Sequence, residues 1–130
     1  MIVHSSALVA LVRGEPGSDT LARAIGTAGG GLVPAPCLLA TCMVLSGQKG
    51  TDSRPLLDDL LATLRLTVAP FTETHARAAT HAFLRFGKGR HPAALNFGDC
   101  MAYAVAQTEE RPLLFVGHDF TRTDVASAGQ

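Results

Sequence analysis

Apolar residues recur along the chain in short β-branched or leucine-rich runs, alternating with longer stretches at helical spacing. Met1, Ile2 and Val3 make the first run. Ser5 and Ser6 then supply helix caps before the apolar stretch Ala7 to Val12, so strand, turn, helix is the predicted order. Glu15, Pro16 and Ser18 open a second helix through about Ala28, with proline at its first helical position, and Gly29, Gly30 and Gly31 end it. Leu32 and Val33 form a second brief strand. Pro36 starts a strongly apolar helix, Cys37 to Leu45, whose lack of a polar face predicts burial on most sides. Behind Thr51, Asp52 and Ser53 a helix runs from about Pro55 to Leu64, with Leu56, Leu57, Leu60, Leu61 and Leu64 spaced as one buried stripe.

Leu66 to Val68 is a third strand closed by Pro70, and Thr72 caps a helix carrying Ala76, Ala79, Ala82, Phe83 and Phe86. The segment GKGRHPAALNFGD is too punctuated by glycine to be regular throughout. A helix from about Phe97 to Gln107, the apolar run Pro112 to Val116, and Gly117 with a polar tail complete the chain. Strand and helix patterns alternate from end to end. That favours an α/β fold, helices on both faces of a mostly parallel sheet in three layers, as a single domain over residues 1–130.

Composition narrows the class. The sequence is 47 % hydrophobic with 11 basic and 11 acidic residues, which excludes a disordered chain and broad electrostatic capture of a polyanion. No run approaches the ~18 apolar residues of a membrane span. The N-terminus lacks the basic residues and unbroken apolar core of a signal peptide. Cys37, Cys42 and Cys100 are odd in number with no CxxC spacing, as expected of reduced, mostly buried thiols in a cytoplasmic protein.

In an open parallel sheet, ligands gather beyond the carboxyl ends of the strands. His4 follows the first strand there, and Gly117, His118 and Asp119 follow the last. Asp99 lies in the first turn of a helix, where the helix dipole favours a carboxylate. Each has an ordinary reading too: His4 as a cap or packing residue, Asp99 as a helix N-terminal carboxylate, Asp119 as a turn residue.

Three blocks add to this: VHSSALVALVRGEP, RFGKGRHPAALNFGDCMAYAVA and PLLFVGHDFTRTD. Together, and at their spacing, they resemble the PIN-domain ribonucleases, specifically the VapC toxins of VapBC toxin–antitoxin systems. The resemblance implies an endoribonuclease dependent on Mg²⁺ or Mn²⁺, an RNA substrate, a homodimer, and a VapB-type antitoxin whose C-terminal segment lies in the active-site groove. It also implies acidic residues at the end of the first strand, in a buried helix, in the NFGD segment and after the last strand. Hard divalent cations prefer carboxylate oxygens, and the bound metal relieves the mutual repulsion of the acids.

The chain departs from that pattern at two positions. The family's VDSSA is VHSSA here, which places His4 at the first acidic position, and LLEA is Leu38, Leu39, Ala40 and Thr41, which places Ala40 at the second. Asp99 and Asp119 remain. The expectation is weakened Mg²⁺ binding and reduced or lost cleavage, the alternative being an inactive PIN domain that retains antitoxin or RNA binding. Imidazole is a poor ligand for Mg²⁺ and a better one for Mn²⁺ or Zn²⁺, so His4, Asp99 and Asp119 could make a site of altered metal preference. Otherwise His4 caps the following helix or hydrogen-bonds Asp99.

Lys88, Arg90 and His91 precede Asn96 and Asp99, and Arg122 follows Asp119. As a cluster at the site mouth, where the family places such a loop, they would hold RNA phosphates; otherwise the loop is merely solvated. Ser6, Asn96 and Thr123 are expected to orient the carboxylates through hydrogen bonds. Aromatics are scarce, and Tyr103 and the phenylalanines are expected in the core. Nucleotide binding at a Rossmann-like crevice has little support, because Gly29 to Gly31 end a helix and no GxGxxG or Walker motif is present.

Overall fold

The computed structural model describes residues 1–129, with backbone alone for Gln48 and Lys49; Gln130, the last residue of the expected domain, lies outside it. Among the described residues four short strands, β1 (Ile2–Val3), β2 (Gly31–Pro34), β3 (Leu66–Ala69) and β4 (Leu113–Leu114), form one sheet in the order β3-β2-β1-β4. All neighbours are parallel, with Ile2 opposite both Leu32 and Leu113. Six helices connect and flank them: α1 (Ser5–Arg13), α2 (Ser18–Ala28), α3 (Ala35–Lys49), α4 (Arg54–Thr63), α5 (Glu73–Phe86) and α6 (Phe97–Thr108). The alternation read from the sequence is therefore realised as a parallel α/β sheet.

The order of the strands locates the crevice. From β1 the chain steps outward to β2 and β3, then returns to the other side of β1 with β4. Connections leaving β1 and β4 diverge at their carboxyl ends, where such folds bind ligands. The strands β1 and β4 beside the crevice are fully buried, whereas β3 exposes Thr67 and Val68. Ile2, Val3, Leu113 and Leu114 are at most 1 % exposed, and Leu8, Ile25, Leu95, Val105 and Phe120 complete the cluster around them.

Entry to β2 explains the glycine run. Gly29 closes α2 in the left-handed conformation (φ 77°), and at Gly30 (φ 121°) a Cβ would stand 2.3 Å from the Arg65 carbonyl oxygen. Only glycine admits that approach.

Four local expectations are corrected by the structure. The N-cap of α1 is His4 rather than a serine, its ring nitrogen accepting the Ser6 N–H. The apolar helix predicted over Cys37–Leu45 is the longer α3, and it is not covered all round: Leu39 and Met43 are 62 % and 65 % exposed. Leu56, assigned to the buried stripe of α4, is likewise exposed. Phe97 and Phe83 face solvent rather than the core.

Candidate functional site

The site is built where β1 ends, beside the start of α6. His4 leaves β1 and immediately caps α1, which fixes its ring. Nδ1 accepts the Ser6 N–H at 3.1 Å and lies 2.8 Å from Ser6 Oγ. That oxygen also accepts the Val116 N–H at 2.9 Å, so one hydroxyl ties the end of β1 to the residues after β4. With Nδ1 acting as an acceptor, the ring proton falls on Nε2. This nitrogen faces Asp99 Oδ1 at 3.3 Å, and both side chains are buried. Phe120 packs edge-on against the imidazole at 5.0 Å.

Asp99 is held as firmly. Asn96 caps α6 by accepting the Asp99 N–H at 2.8 Å, and Asp99 Oδ2 accepts the Asn96 N–H at 3.2 Å. This reciprocal box is why the NFGD segment starts a helix at that point. It leaves Asp99 at a helix N-terminus, where negative charge is favoured.

Asp119 joins from the turn after β4. Its carboxyl is pushed above its usual value by burial, then by the Asp99 charge, with which it also shares a hydrogen bond; His4 and His118 act in the opposite sense. The residue as a whole is exposed. Two carboxyl groups therefore meet here with an imidazole beside them. Ala40 lies on α3 along a cavity of about 660 Å³ shared with Ser5 and Gly98, where it presents only a methyl group.

The donor set bears on the cation that the family implies. Among the described residues, no three His, Cys, Asp or Glu side chains stand gathered as a metal-holding group. Asp99 and Asp119 nonetheless converge, and one or two carboxylates with water and substrate oxygens are the usual complement for Mg²⁺. Those two residues fit a divalent cation, with less charge than a four-carboxylate centre.

The remaining predicted residues divide. Lys88 and Arg90 are exposed, Lys88 beside Asn96 and Phe97 along a cavity of about 840 Å³, and Arg90 with its guanidinium 5.4 Å from the Phe83 ring centre. His91 turns inward instead: its Nδ1 accepts the Ala93 N–H at 3.0 Å and its ring meets Phe86 edge-on. Arg122 is exposed. The Thr123 hydroxyl donates to the Phe120 carbonyl at 2.7 Å, which shapes the turn carrying Asp119 rather than touching a carboxylate.

Sequence reasoning missed the apolar surface beside this site, formed by Phe97, 81 % exposed, with Leu39 and Met43 of α3. The signal in the sequence is a helix without a polar face, a pattern that fits an exposed apolar surface as well as a buried one.

A parallel sheet with carboxylates at the carboxyl ends of its strands defines the class, and comparison with known proteins agrees. A family model for the PIN domain matches residues 1–126, and the chain belongs to that family. More particularly, it groups with the VapC ribonucleases. It is 47 % identical over 130 residues to VapC ribonuclease Mb2004c of Mycobacterium bovis, covering 99 % of this chain and 94 % of that protein. Ribonuclease VapC28 of Mycobacterium tuberculosis is 40 % identical over 129 residues, with 98 % and 97 % covered. Among solved structures, the sarcin-ricin loop cleaving toxin VapC20 of Mycobacterium tuberculosis superposes with a TM-score of 0.75, covering 98 % of this chain and 97 % of that one. At 17 % identity it speaks for the fold alone. No helix among the described residues is long and apolar enough to cross a membrane.

Proposed function

We propose that this chain is a cytoplasmic endoribonuclease toxin of the VapC type, cutting RNA with a divalent cation and silenced by a VapB-type antitoxin. Its Mg²⁺-supported cleavage falls below that of the same chain with carboxylates at positions 4 and 40. The observation that carries the reading is the convergence of Asp99 and Asp119 at the ends of the parallel strands, in a chain close to proteins named VapC ribonucleases.

Asp99 and Asp119 would hold the cation. When bound, it activates water and offsets charge on the attacked phosphate. Asn96 fixes one face of Asp99 through the capping box, and His4 the other. Lys88, Arg90 and Arg122 attract the RNA backbone toward this end of the sheet. Ser6 acts on the site through His4, and Thr123 through the turn that carries Asp119.

A second reading, an inactive PIN domain that still binds its partners, is favoured by one observation. Both ring nitrogens of His4 are engaged by the protein and Ala40 offers no donor, so two of the four acidic positions supply no carboxylate. Cleavage assays in Mg²⁺ and Mn²⁺ on this chain, His4→Asp, Ala40→Glu and the double variant separate the two. Cutting by the present chain that Asp99→Asn abolishes supports the enzyme; cutting by the double variant alone supports the inactive form. No cutting by either, in any cation, removes the ribonuclease reading.

Two partner assignments accompany it. The exposed apolar surface of Leu39, Met43 and Phe97 suits a second copy of the chain, giving a homodimer. With two carboxylates absent, the antitoxin is held less tightly at the site itself, so restoring positions 4 and 40 tightens its binding. An antitoxin affinity unchanged in the double variant refutes that.

A further inference from the structure

Asp99 and Tyr103 stand one turn apart on α6, at i and i+4, so their side chains leave the helix on one face, and both are buried. The Tyr103 hydroxyl donates to Asp124 Oδ1, and Arg85 of α5 donates to Asp124 Oδ2 at 3.0 Å. Asp124 lies a few residues beyond Asp119 in the segment that follows β4. One carboxylate therefore ties that segment to the helix that carries Asp99. We infer that Asp124, held by Tyr103 and Arg85, is a positioning residue that sets where Asp119 stands against Asp99. Its consequence for catalysis rests on the ribonuclease reading above; its geometry does not.

The segment between Asp119 and Asp124 transmits the hold because it has little slack. The Thr121 N–H and hydroxyl both donate to the His118 carbonyl, and the Thr123 N–H and hydroxyl both donate to the Phe120 carbonyl. Turns closed by backbone and side chain together resist stretching. Phe120, 2 % exposed, anchors the segment by packing edge-on against His4 and Phe115. That contact keeps the segment down without orienting the carboxylate beside it, since apolar packing has no direction. The directional hydrogen bonds come from Asp124.

A hold is needed because Asp119 is exposed and the Asp99 charge works against its ionised form. Like charges at one site push the one on a surface turn outward. Asp124 opposes that displacement. Of its two partners Tyr103 contributes more: it is buried and its hydroxyl makes a charge-assisted hydrogen bond. Arg85 and Asp124 meet in solvent, where an ion pair is worth little.

Amide hydrogen exchange and RNA cleavage, measured on the same full-chain variants, test this. Tyr103→Phe removes the hydroxyl and keeps the ring against Phe86, and Asp124→Ala removes the carboxylate. In both, the Thr121 and Thr123 amides should exchange about tenfold faster, while the His4 amide, bonded to the Leu114 carbonyl, keeps its protection. The double variant should differ little from Asp124→Ala, because both changes break one contact. Where the chain cuts RNA, kcat in Mg²⁺ should fall about tenfold with KM for RNA unchanged. Asp124→Asn, which keeps an oxygen for Tyr103, should recover part of that loss. Turn amides unprotected in the unaltered chain, unchanged in both variants, or quickened equally with that of His4 would overturn the inference. So would faster exchange at the turn with kcat unchanged, or a loss confined to KM. A chain that cuts no RNA in Mg²⁺ or Mn²⁺ defeats the ribonuclease reading instead, and the exchange rates alone then decide whether Asp124 holds the turn.

Discussion

His4 Nε2 faces Asp99 Oδ1 at 3.3 Å in a buried crevice, and this one contact replaces acid–acid repulsion with a donor–acceptor pair. His4→Asp should therefore trade stability for cation dependence. A second carboxylate placed against Asp99 loses the hydrogen bond and adds a buried like charge, a cost of roughly 1–3 kcal/mol at neutral pH without metal. Urea unfolding in EDTA should show that loss, and saturating Mg²⁺ should recover most of it by binding only the folded state. If the variant is equally stable in EDTA and Mg²⁺, the two positions do not share a cation.

The basic loop gives a salt-dependent prediction. Each phosphate neutralised on single-stranded RNA contributes about −0.7 to the slope of log affinity against log salt. Lys88→Ala should weaken RNA binding across all sequences and make that slope shallower by about 0.7. His91→Ala should act differently, because its ring holds the loop through the Ala93 N–H and Phe86. It should lower stability, with a salt slope near that of the unaltered chain. A slope shallower by about 0.7 in His91→Ala would place it on the RNA instead.

Tyr103 offers a clean titration, because it is the one tyrosine in a chain without tryptophan. Burial raises its hydroxyl from 10.0 to about 12, helped by its hydrogen bond to Asp124 and that residue's charge. Phenolate absorbance should rise near pH 12 instead of 10. Because the folded value is raised, the hydroxyl's contribution to stability is complete below pH 10 and declines between 10 and about 12. Asp124 has the opposite sign. Tyr103 depresses its carboxyl, so its contribution holds at neutral pH and disappears as acid protonates it, diminished by its partial exposure. Asp124→Asn should move the phenolate transition part of the way back toward 10; an unmoved transition would leave burial as the whole cause.

How much of this was legible in the sequence follows from which interactions are local. The strands, the C-terminal end of α2, the start of α6 and the Asn96–Asp99 box all come from residues within a few positions of one another, and turn or cap chemistry marks them; the start of α2 was not so marked, for Pro16 lies in the turn before Gly17 caps the helix at Ser18. Asp99 and Asp119 were recognisable because each stands where a strand or helix end places it. The Ser6 hydroxyl joining His4 to the Val116 N–H was not legible, since it spans 110 positions and depends on β1 lying beside β4. Exposure of α3 is hidden in the sequence for a related reason. An apolar helix face signals burial without saying whether the covering surface belongs to the same chain.

That ambiguity at α3 leads to the last prediction. Phe97, at 81 % exposed, contributes little to the fold of the isolated chain, and Leu39 and Met43 are nearly as free. Substituting Phe97 with serine should change unfolding free energy by no more than about 0.5 kcal/mol under conditions where the chain is monomeric. If the surface joins two copies, removing an aromatic ring from its centre costs about 2 kcal/mol or more of association, over thirtyfold in dimer affinity. Light scattering across a dilution series should then show Phe97→Ser dissociating at concentrations where the unaltered chain stays dimeric. Stability of the unaltered dimer should rise with protein concentration and that of the variant should not. A chain that is monomeric at every concentration, with Phe97→Ser behaving identically, would show that no second copy covers this face.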